Sequence, residues 1–216
     1  MKVLDKSKYI ELTKKLEGEH WKLKGLESRW DYHNKAVSVI SGGGADPSKV
    51  LEMGTMGLQC VIDSHTIDFI EKWDFEGKAP TYVHDGRVIP WPIKSDSYDI
   101  FVALRVFMHL APMQEQAFNE AFRVARKVLI VVPETYDNKV HDTSKGITYE
   151  QFVHWRDGIH PNLYIPTRMG WLYLWDRENP SKIDWRQLVD YRGFVSSEAP
   201  IHLRVLRKLK TVLRAR

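Results

Sequence analysis

Short apolar runs that alternate with a helical pattern constrain the fold of this chain more than any other feature. The runs KVLEM, TYVHD, YDIFVAL and KVLIVVP have the length and composition of buried strands, and Pro133 ends the last of them. Between the last two, the segment PMQEQAFNEAFRVAR repeats its apolar residues at helical spacing. Strand, helix and strand in this order predict an α/β fold, with a mainly parallel central sheet and helices on both faces.

The length of 216 residues fits one domain with an appended segment. We predict a single domain over 1–178, which opens with a helical part over 1–45. An insertion over 136–168 follows the run KVLIVVP and should lie over the substrate side. The run GWLYLWD predicts a further strand near the sheet edge. Beyond residue 178 the alternation stops, so residues 179–216 are predicted to form an appended segment that ends in a basic amphipathic helix.

The positive charge of the chain is concentrated at its end. The formal net charge is +4, and the last fifteen residues, HLRVLRKLKTVLRAR, contain six Lys or Arg and no acid. The rest of the chain is therefore mildly acidic, and nucleic-acid binding is not expected. A helix over 202–216 can lie peripherally in an anionic membrane interface, or it can dock its apolar face on the body or on a partner subunit.

Cysteine usage and the N-terminal sequence bear on the compartment. A single cysteine, Cys60, excludes an intrachain disulfide and suits a reducing environment. The start, MKVLDKSKYIELTKK, is charged throughout, and no run approaches the roughly 20 apolar residues that a membrane crossing needs. We therefore expect a cytoplasmic protein, and the sequence does not indicate its oligomeric state.

The stretch VLEMGTMGLQ places a glycine loop directly after the first predicted strand. In a parallel sheet the ligand crevice lies beyond the carboxyl ends of the strands, where Glu52 and Gly54 fall. A dinucleotide loop would read G-x-G-x-x-G, but here Gly54 and Gly57 stand alone and Met56 takes the place of a glycine that approaches pyrophosphate. The loop disfavours an NAD-dependent oxidoreductase and suits S-adenosylmethionine, a cofactor without phosphate.

Six short motifs follow one another between residues 48 and 135. They are VLEMG at 50–54, HD at 84–85, PWPI at 90–93, YDIFVAL at 98–104, HL at 109–110 and EAFRV at 120–124. Together they resemble the class I S-adenosylmethionine-dependent methyltransferases, although Met56 and Leu58 occupy the second and third glycine positions of that family's loop. The resemblance implies a Rossmann-like fold, an S-adenosylmethionine cofactor and methyl transfer.

The resemblance also implies roles at the first two strand ends. Glu52 would fix the loop or accept a hydrogen bond from the amine of the cofactor, with Gly54 and Gly57 forming the loop itself. A carboxylate at the end of a second strand, between KVLEM and TYVHD, would accept both ribose hydroxyls. The candidates are Asp63 and Asp68, the latter at the end of HTID. Asp68 is preferred because a strand that ends at Asp63 leaves too little chain for the crossover. With Asp68, a short helix over 57–64 would fit.

Further roles fall at the ends of the third and fourth strands. The resemblance implies that Asp85 accepts a hydrogen bond from the adenine amino group and that the backbone N–H of Gly86 meets the ring. A glycine there lets the purine approach closely. Leu104, at the far end of the fourth strand, marks the expected position of the reactive sulfonium.

Histidines supply the candidate general bases. Methyl transfer needs a base only when the acceptor must lose a proton, as a hydroxyl does in O-methylation. His141, with Asp142 beside it, is the first candidate and His109 is the second, while His154 and His160 lie in the same insertion as His141. The spacing of these histidines matches no zinc pattern, so no metal is expected.

The carboxyl-terminal half is rich in tryptophan, with Trp155, Trp171, Trp175 and Trp185. Aromatic faces stack on sugars, and they also dominate the packing of cores. We expect a small-molecule or glycan-type methyl acceptor. The alternative is a catalytically silent relative that uses the crevice or the tail for binding, which the missing glycines would suit.

Overall fold

The computed structural model describes residues 1–15, 25–43, 46–69, 79–135 and 144–188. The helices are α1 (Lys6–Lys15), α2 (Leu26–Gly42), α3 (Gln114–Val124), α4 (Tyr149–Trp155) and α5 (Trp185–Leu188), with 3₁₀ turns at Pro47–Lys49 and Phe107–His109. The strands are β1 (Val50–Met53), β2 (His65–Asp68), β3 (Tyr82–Val83), β4 (Tyr98–Leu104), β5 (Ala125–Val132), β6 (Leu163–Thr167) and β7 (Gly170–Asp176).

These strands form one sheet in the order β3-β2-β1-β4-β5-β7-β6. The five strands β1 to β5 are parallel, and β7 runs antiparallel to both of its neighbours. The order reverses between β1 and β4, which pair from Val50 with Ile100 to Met53 with Ala103. Such a reversal opens a crevice at the carboxyl ends of the two strands.

The predicted strands are confirmed, and the edge of the sheet adds one that was not predicted. GWLYLWD forms β7, which lies one strand in from the edge. The edge strand is β6, LYIPT, which carries a proline and lacks a strong apolar alternation. Edge strands tolerate proline because one side of the strand makes no ladder hydrogen bonds.

Alternation along the central strands builds a core on each face of the sheet. In β4, Phe101 and Ala103 pack in the core shared with α3 and α4, whereas Ile100 and Val102 pack in the core shared with α1 and α2. Successive side chains of a strand point to opposite faces, so one buried strand serves both cores. The predicted arrangement of helices on both faces is therefore confirmed.

The connection from β1 to β2 contains no helix, so the helix predicted over 57–64 is wrong. Residues 54–64 form turns, and Val61 makes an isolated bridge with Val3. The backbone N–H of Leu4 donates to the carbonyl of Cys60 at 2.9 Å, and that of Ile62 donates to the carbonyl of Lys2 at 3.0 Å. The N-terminal residues thus form hydrogen bonds with backbone groups of residues 60–62. In a helix, those groups would have bonded to other residues of the same helix.

Residues after β7 return to the main core. Trp185 is 2% exposed, and its indole N–H donates to the carbonyl of Pro161 at 2.6 Å. Its backbone N–H donates to the hydroxyl of Tyr149 at 3.1 Å. The division of the chain at residue 178 stays a prediction, and the basic helix predicted over 202–216 lies outside the described residues.

Within the described ranges, no helix combines the length and the apolar character needed to cross a membrane.

We expect Trp185→Ala to lower the free energy of unfolding by roughly 3–5 kcal/mol, because it empties a buried aromatic site. Trp185→Phe keeps most of the packing, loses the hydrogen bond to Pro161 and should cost about 1–2 kcal/mol. Urea denaturation followed by circular dichroism measures both. A Trp185→Ala protein as stable as the wild type would show that this segment does not contribute to the core.

Candidate active site

A cavity of about 710 Å³ opens at the carboxyl ends of the strands, where their order reverses. Residues after β1, β2, β3 and β4 contribute to its walls, together with one face of α2 and the turn between β6 and β7. The lining includes all the candidate cofactor residues except Gly57, namely Glu52, Gly54, Asp68, Asp85, Gly86 and Leu104, and one candidate base, His109.

The loop after β1 keeps the backbone shape of a glycine-rich turn. Gly54, Met56 and Gly57 have positive φ angles of 62°, 48° and 85°. A Cβ atom on Gly54 would lie 2.6 Å from Cγ2 of Val106, so this position requires glycine for packing as well as for conformation. Met56 adopts the left-handed conformation at a cost of roughly 1–2 kcal/mol. The loss of one glycine has therefore not changed the course of the chain.

The third glycine position is occupied by a core residue. Leu58 is 2% exposed and packs in the core on the α1 and α2 side of the sheet. In the dinucleotide pattern the third glycine permits close packing of a helix on the strand. Because residues 54–64 form turns rather than a helix, that requirement does not arise, and a leucine can fill the space.

Glu52 ties this loop to the sheet. Its carboxylate accepts hydrogen bonds from the N–H of Cys60 at 2.7 Å, the N–H of Val61 at 2.8 Å and the hydroxyl of Ser64 at 2.8 Å. Burial raises the pKa of Glu52 from its ordinary 4.5 to about 7, and these hydrogen bonds oppose the rise. Of the two roles considered for Glu52, the contacts of its carboxylate match the fixing of the loop.

The raised pKa predicts how Glu52 links stability to pH. A carboxyl group whose pKa is higher in the folded state than in the unfolded chain loses stabilisation as pH rises towards the folded value. From about pH 5 to about pH 8, the stability of the wild type relative to Glu52→Gln should therefore fall, by on the order of 2–3 kcal/mol. Urea denaturation of both proteins across this range measures the difference.

Taking the difference between the two proteins cancels the other titrating groups, His33 among them. Burial lowers the pKa of His33 to about 3, which gives that residue a pH dependence of the opposite sign. A relative stability that grows with pH would show that the three hydrogen bonds outweigh the burial of Glu52.

Asp68 and Asp63 differ in their relation to the cavity. Asp68 ends β2, is 5% exposed and lines the cavity. Its backbone carbonyl accepts a hydrogen bond from the N–H of His84 at 2.8 Å, which joins the ends of β2 and β3. Asp63 is exposed, has a φ of 68° and does not lie among the residues that line the cavity. Of the two candidates, Asp68 lines the cavity and Asp63 does not, and the ribose role stays a prediction.

Asp85 and Gly86 follow β3 and also line the cavity. Asp85 binds the guanidinium of Arg87, with Nη2 at 2.6 Å from Oδ2, and this contact lowers the pKa of Asp85. Gly86 is buried, and a Cβ atom there would lie 3.0 Å from Cε of Met53. A side chain at position 86 would therefore be in tight contact with the end of the Met53 side chain, which would have to shift by a few tenths of an ångström.

His109 is held at the cavity by a hydrogen-bonded turn. Its Nδ1 lies 2.8 Å from Oγ of Ser144, a buried residue that also lines the cavity. The N–H of Lys145 donates to the carbonyl of Met108 at 2.8 Å, and the amide of Gln114 donates to the carbonyls of Phe107 and Lys145, each at 3.0 Å. These bonds fix the 107–109 turn against residues 144 and 145.

Of the other candidate bases, His154 and His160 do not line the cavity. His141 and Asp142 lie outside the described residues. His154 is exposed on α4, and Nδ1 of His160 lies 2.9 Å from the hydroxyl of Tyr149. In the part of the chain that the structure describes, no group of three His, Cys, Asp or Glu side chains is arranged to hold a metal ion.

The four tryptophans serve packing. Trp175 and Trp185 are almost fully buried, Trp155 packs against the same core, and Trp171 stacks on Tyr164 with ring centroids 4.2 Å apart. None of the four lies among the residues that line the cavity. They therefore give no evidence for stacking on a sugar there.

One face of α2 contributes residues that the sequence interpretation missed. Arg29, Tyr32 and His33 line the cavity, and their spacing of three and four residues places them on the same side of the helix. Arg105, which follows β4 with a φ of 63°, lies beside them on the cavity wall. The i, i+3, i+4 spacing of polar and aromatic side chains was the available signal.

Methyltransferases are among the solved structures that are similar to this chain. One from Methanococcus maripaludis, described as a candidate S-adenosyl-L-methionine-dependent methyltransferase, is 16% identical and covers 85% of this chain and 98% of its own, with a TM-score of 0.50. A SAM-dependent methyltransferase from Aquifex aeolicus is 13% identical and covers 79% of this chain and 96% of its own, with a TM-score of 0.46. No protein-family model and no curated protein sequence matches the chain.

Identities this low inform on the fold alone. The similarity to the Methanococcus structure and the strand order of the sheet both indicate a Rossmann-like fold. The chain has the predicted Rossmann-like fold of the class I S-adenosylmethionine-dependent methyltransferases.

Proposed function

We propose that this protein is an S-adenosylmethionine-dependent methyltransferase that acts on a small-molecule or glycan-type acceptor. The observation that carries the proposal is the buried carboxylate of Asp68, which lies on a cavity of about 710 Å³ at the point where the strand order reverses. A volume of this size falls within the roughly 300–1,000 Å³ of small-molecule sites. The cavity has room and chemistry for a nucleoside cofactor.

The residues at the strand ends fit the chemical groups of this cofactor. Asp68 would accept hydrogen bonds from the ribose hydroxyls, and the 54–57 loop would lie against the cofactor without needing a phosphate cradle. Asp85 and Gly86 are proposed for the adenine, beside Met53, which gives the base an apolar neighbour. When bound, the cofactor supplies a methyl group activated by a positively charged sulfur.

His109 is the proposed general base among the described residues. Its Nδ1 is held by Ser144, so the ring orientation is fixed and Nε2 is the nitrogen proposed to meet an acceptor. A hydroxyl acceptor would pass its proton to Nε2 while the new O–CH₃ bond forms and the S–CH₃ bond breaks. This assignment corresponds to O-methylation, and His141, the first candidate from the sequence, stays a prediction for the same role.

The alternative of a catalytically silent relative relied on the missing glycines. Met56 has a left-handed backbone, as a glycine at this position could, and Leu58 packs in the core. The structure therefore accommodates both residues at the positions where the family has glycine. Whether the protein binds S-adenosylmethionine distinguishes a methyltransferase from a catalytically silent relative. A cytoplasmic location, the absence of nucleic-acid binding and a peripheral membrane contact through 202–216 stay predictions.

Calorimetric titration with S-adenosylhomocysteine, with NAD as a comparison ligand, tests the cofactor. We expect micromolar binding of S-adenosylhomocysteine and none of NAD. Asp68→Asn should weaken the binding by roughly tenfold to a hundredfold, since it loses hydrogen bonds to a charged acceptor. Asp63→Asn is the matched control and should change the affinity less than about twofold. A well-folded wild type that does not bind S-adenosylhomocysteine would contradict the proposal and favour the silent relative.

Replacement of His109 tests the catalytic assignment once acceptor screening has found a substrate. His109→Asn should lower the methyl-transfer rate by roughly 10²–10⁴-fold, the usual contribution of a general base. Its affinity for S-adenosylhomocysteine should stay within about threefold of the wild type, because the base acts on the acceptor. An unchanged rate in this variant would remove His109 from the mechanism and direct attention to His141.

A further inference from the structure

Two motifs of the sequence have no part in the proposed function, PWPI at 90–93 and EAFRV at 120–124. The structure brings them together behind the cavity. Glu120 on α3 is 7% exposed, and its carboxylate accepts a hydrogen bond from the backbone N–H of Trp91 at 2.7 Å. Helix α3 is therefore joined to the loop that follows β3, although the two residues lie 29 positions apart in sequence.

Arg123 strengthens this junction. Its guanidinium donates to both oxygens of Glu120, with Nε 2.7 Å from Oε1 and Nη2 2.6 Å from Oε2. The same group donates to the backbone carbonyl of Ile93 at 2.7 Å and to that of Trp91 at 3.2 Å. Bidentate, charge-assisted pairs are among the stronger hydrogen bonds in proteins. Two side chains of α3 thus hold the backbone of Trp91 at its N–H and at its carbonyl.

Trp91 connects this junction to the cavity. Its side chain is 2% exposed and stacks on Phe101 of β4, with ring centroids 5.5 Å apart. The indole N–H donates to the backbone carbonyl of Gly86 at 3.1 Å. Gly86 lines the cavity and Trp91 does not, so Trp91 affects the cavity from behind the residues that face it.

Gly86 is a position where such a contact matters. Glycine has no Cβ, so its backbone is less restricted than that of any other residue. The proposed role of Gly86, which is to meet the adenine ring through its N–H, requires one backbone conformation. The hydrogen bond from Trp91 holds the carbonyl of Gly86, and the N–H of Val88 donates to the carbonyl of Asp85 at 2.9 Å. The peptide groups on both sides of Gly86 are therefore fixed, and a group that is ordered in advance binds its ligand more tightly.

We propose that Trp91 is a positioning residue for recognition of the purine base, and that Glu120 and Arg123 support it in this role. The indole N–H holds the carbonyl of Gly86 and so determines where the N–H of Gly86 and the carboxylate of Asp85 lie. The inference rests on the proposed adenine site. It assigns the selectivity of that site for adenine to residues that do not touch the ligand.

Calorimetric titration with two ligands that differ only in the base tests the proposal. In S-inosylhomocysteine an oxo group replaces the amino group of S-adenosylhomocysteine, and N1 of the base carries a proton. We expect the wild type to prefer the adenine ligand by at least about tenfold, because the analogue leaves polar groups of the site unpaired. Trp91→Phe keeps an aromatic ring to stack on Phe101 and loses the hydrogen bond to Gly86. The preference should therefore fall by roughly threefold to tenfold.

Trp185→Phe is the matched control. Trp185 is also 2% exposed, and its indole also donates to a backbone carbonyl, that of Pro161 at 2.6 Å, but it does not line the cavity. Both variants should lose thermal stability, as circular dichroism measures, and only Trp91→Phe should lose base preference. An equal base preference in the two variants would overturn the proposal, because Trp91 would then serve packing alone.

Glu120→Gln tests the support from α3. The amide keeps an acceptor for the N–H of Trp91 and loses the ion pair with Arg123, so the base preference should fall, although less than in Trp91→Phe. Glu115→Gln is the control, because Glu115 is exposed on the same helix. It should bind both ligands as the wild type does. An unchanged preference in Glu120→Gln would contradict the support that we assign to Glu120 and Arg123.

Titration with adenosine and inosine, followed by NMR, separates this inference from the proposed function. A preference for adenosine that falls in Trp91→Phe, in a protein that does not bind S-adenosylhomocysteine, would support the base site and contradict the methyltransferase. Wild-type protein that binds S-adenosylhomocysteine and S-inosylhomocysteine equally well would overturn the base site and leave the methyltransferase standing. Wild-type protein that binds none of the four ligands would overturn both.

Discussion

The carboxylate of Glu52 is the interaction on which the cavity depends. It accepts hydrogen bonds from three donors in residues 60–64, and together with the backbone hydrogen bonds of residues 2–4 it fixes the connection between β1 and β2. That connection has no helix of its own to hold it. With the loop fixed, Gly54 packs against Val106 and Leu58 fills the core behind it. The floor of the cavity thus depends on a buried polar contact as well as on the glycine at position 54.

The chemical character of the cavity follows from the topology of the sheet. Reversal of strand order brings β1 and β4 side by side, which places the ends of β2 and β3 on one flank and those of β4 and β5 on the other. Carboxylates follow the first pair and Arg105 follows β4. Helix α2 then adds Arg29 to the cationic flank. Asp68 and Arg105 therefore lie on opposite flanks of the cavity because of which strands end where.

The parts of the fold that bury apolar residues with a clear period could be predicted from the sequence. Strands β1, β4 and β5 and helix α3 are of this kind, and so is the position of Asp68 at the end of β2. The connection over 57–64 could not be predicted, because Glu52 and the N-terminal residues 2–4 stabilise it through contacts distant in sequence. Strand β6 carries a proline and a weak pattern, and its pairing depends on β7. The contribution of α2 to the cavity depends on how the helix packs, which the spacing of Arg29 and Tyr32 alone did not reveal.

Met56 has a consequence for how this loop can change over time. Its backbone is left-handed within a turn in which Thr55 accepts hydrogen bonds from the N–H groups of Gly57 and Leu58, so a residue other than glycine can take this conformation. The cost of this conformation is roughly 1–2 kcal/mol, so unbranched side chains other than methionine can take it at a similar cost. Position 56 is therefore a place where the lining of the cavity can drift in size and polarity while the chain keeps its course, so that ligand preference can diverge before the fold does.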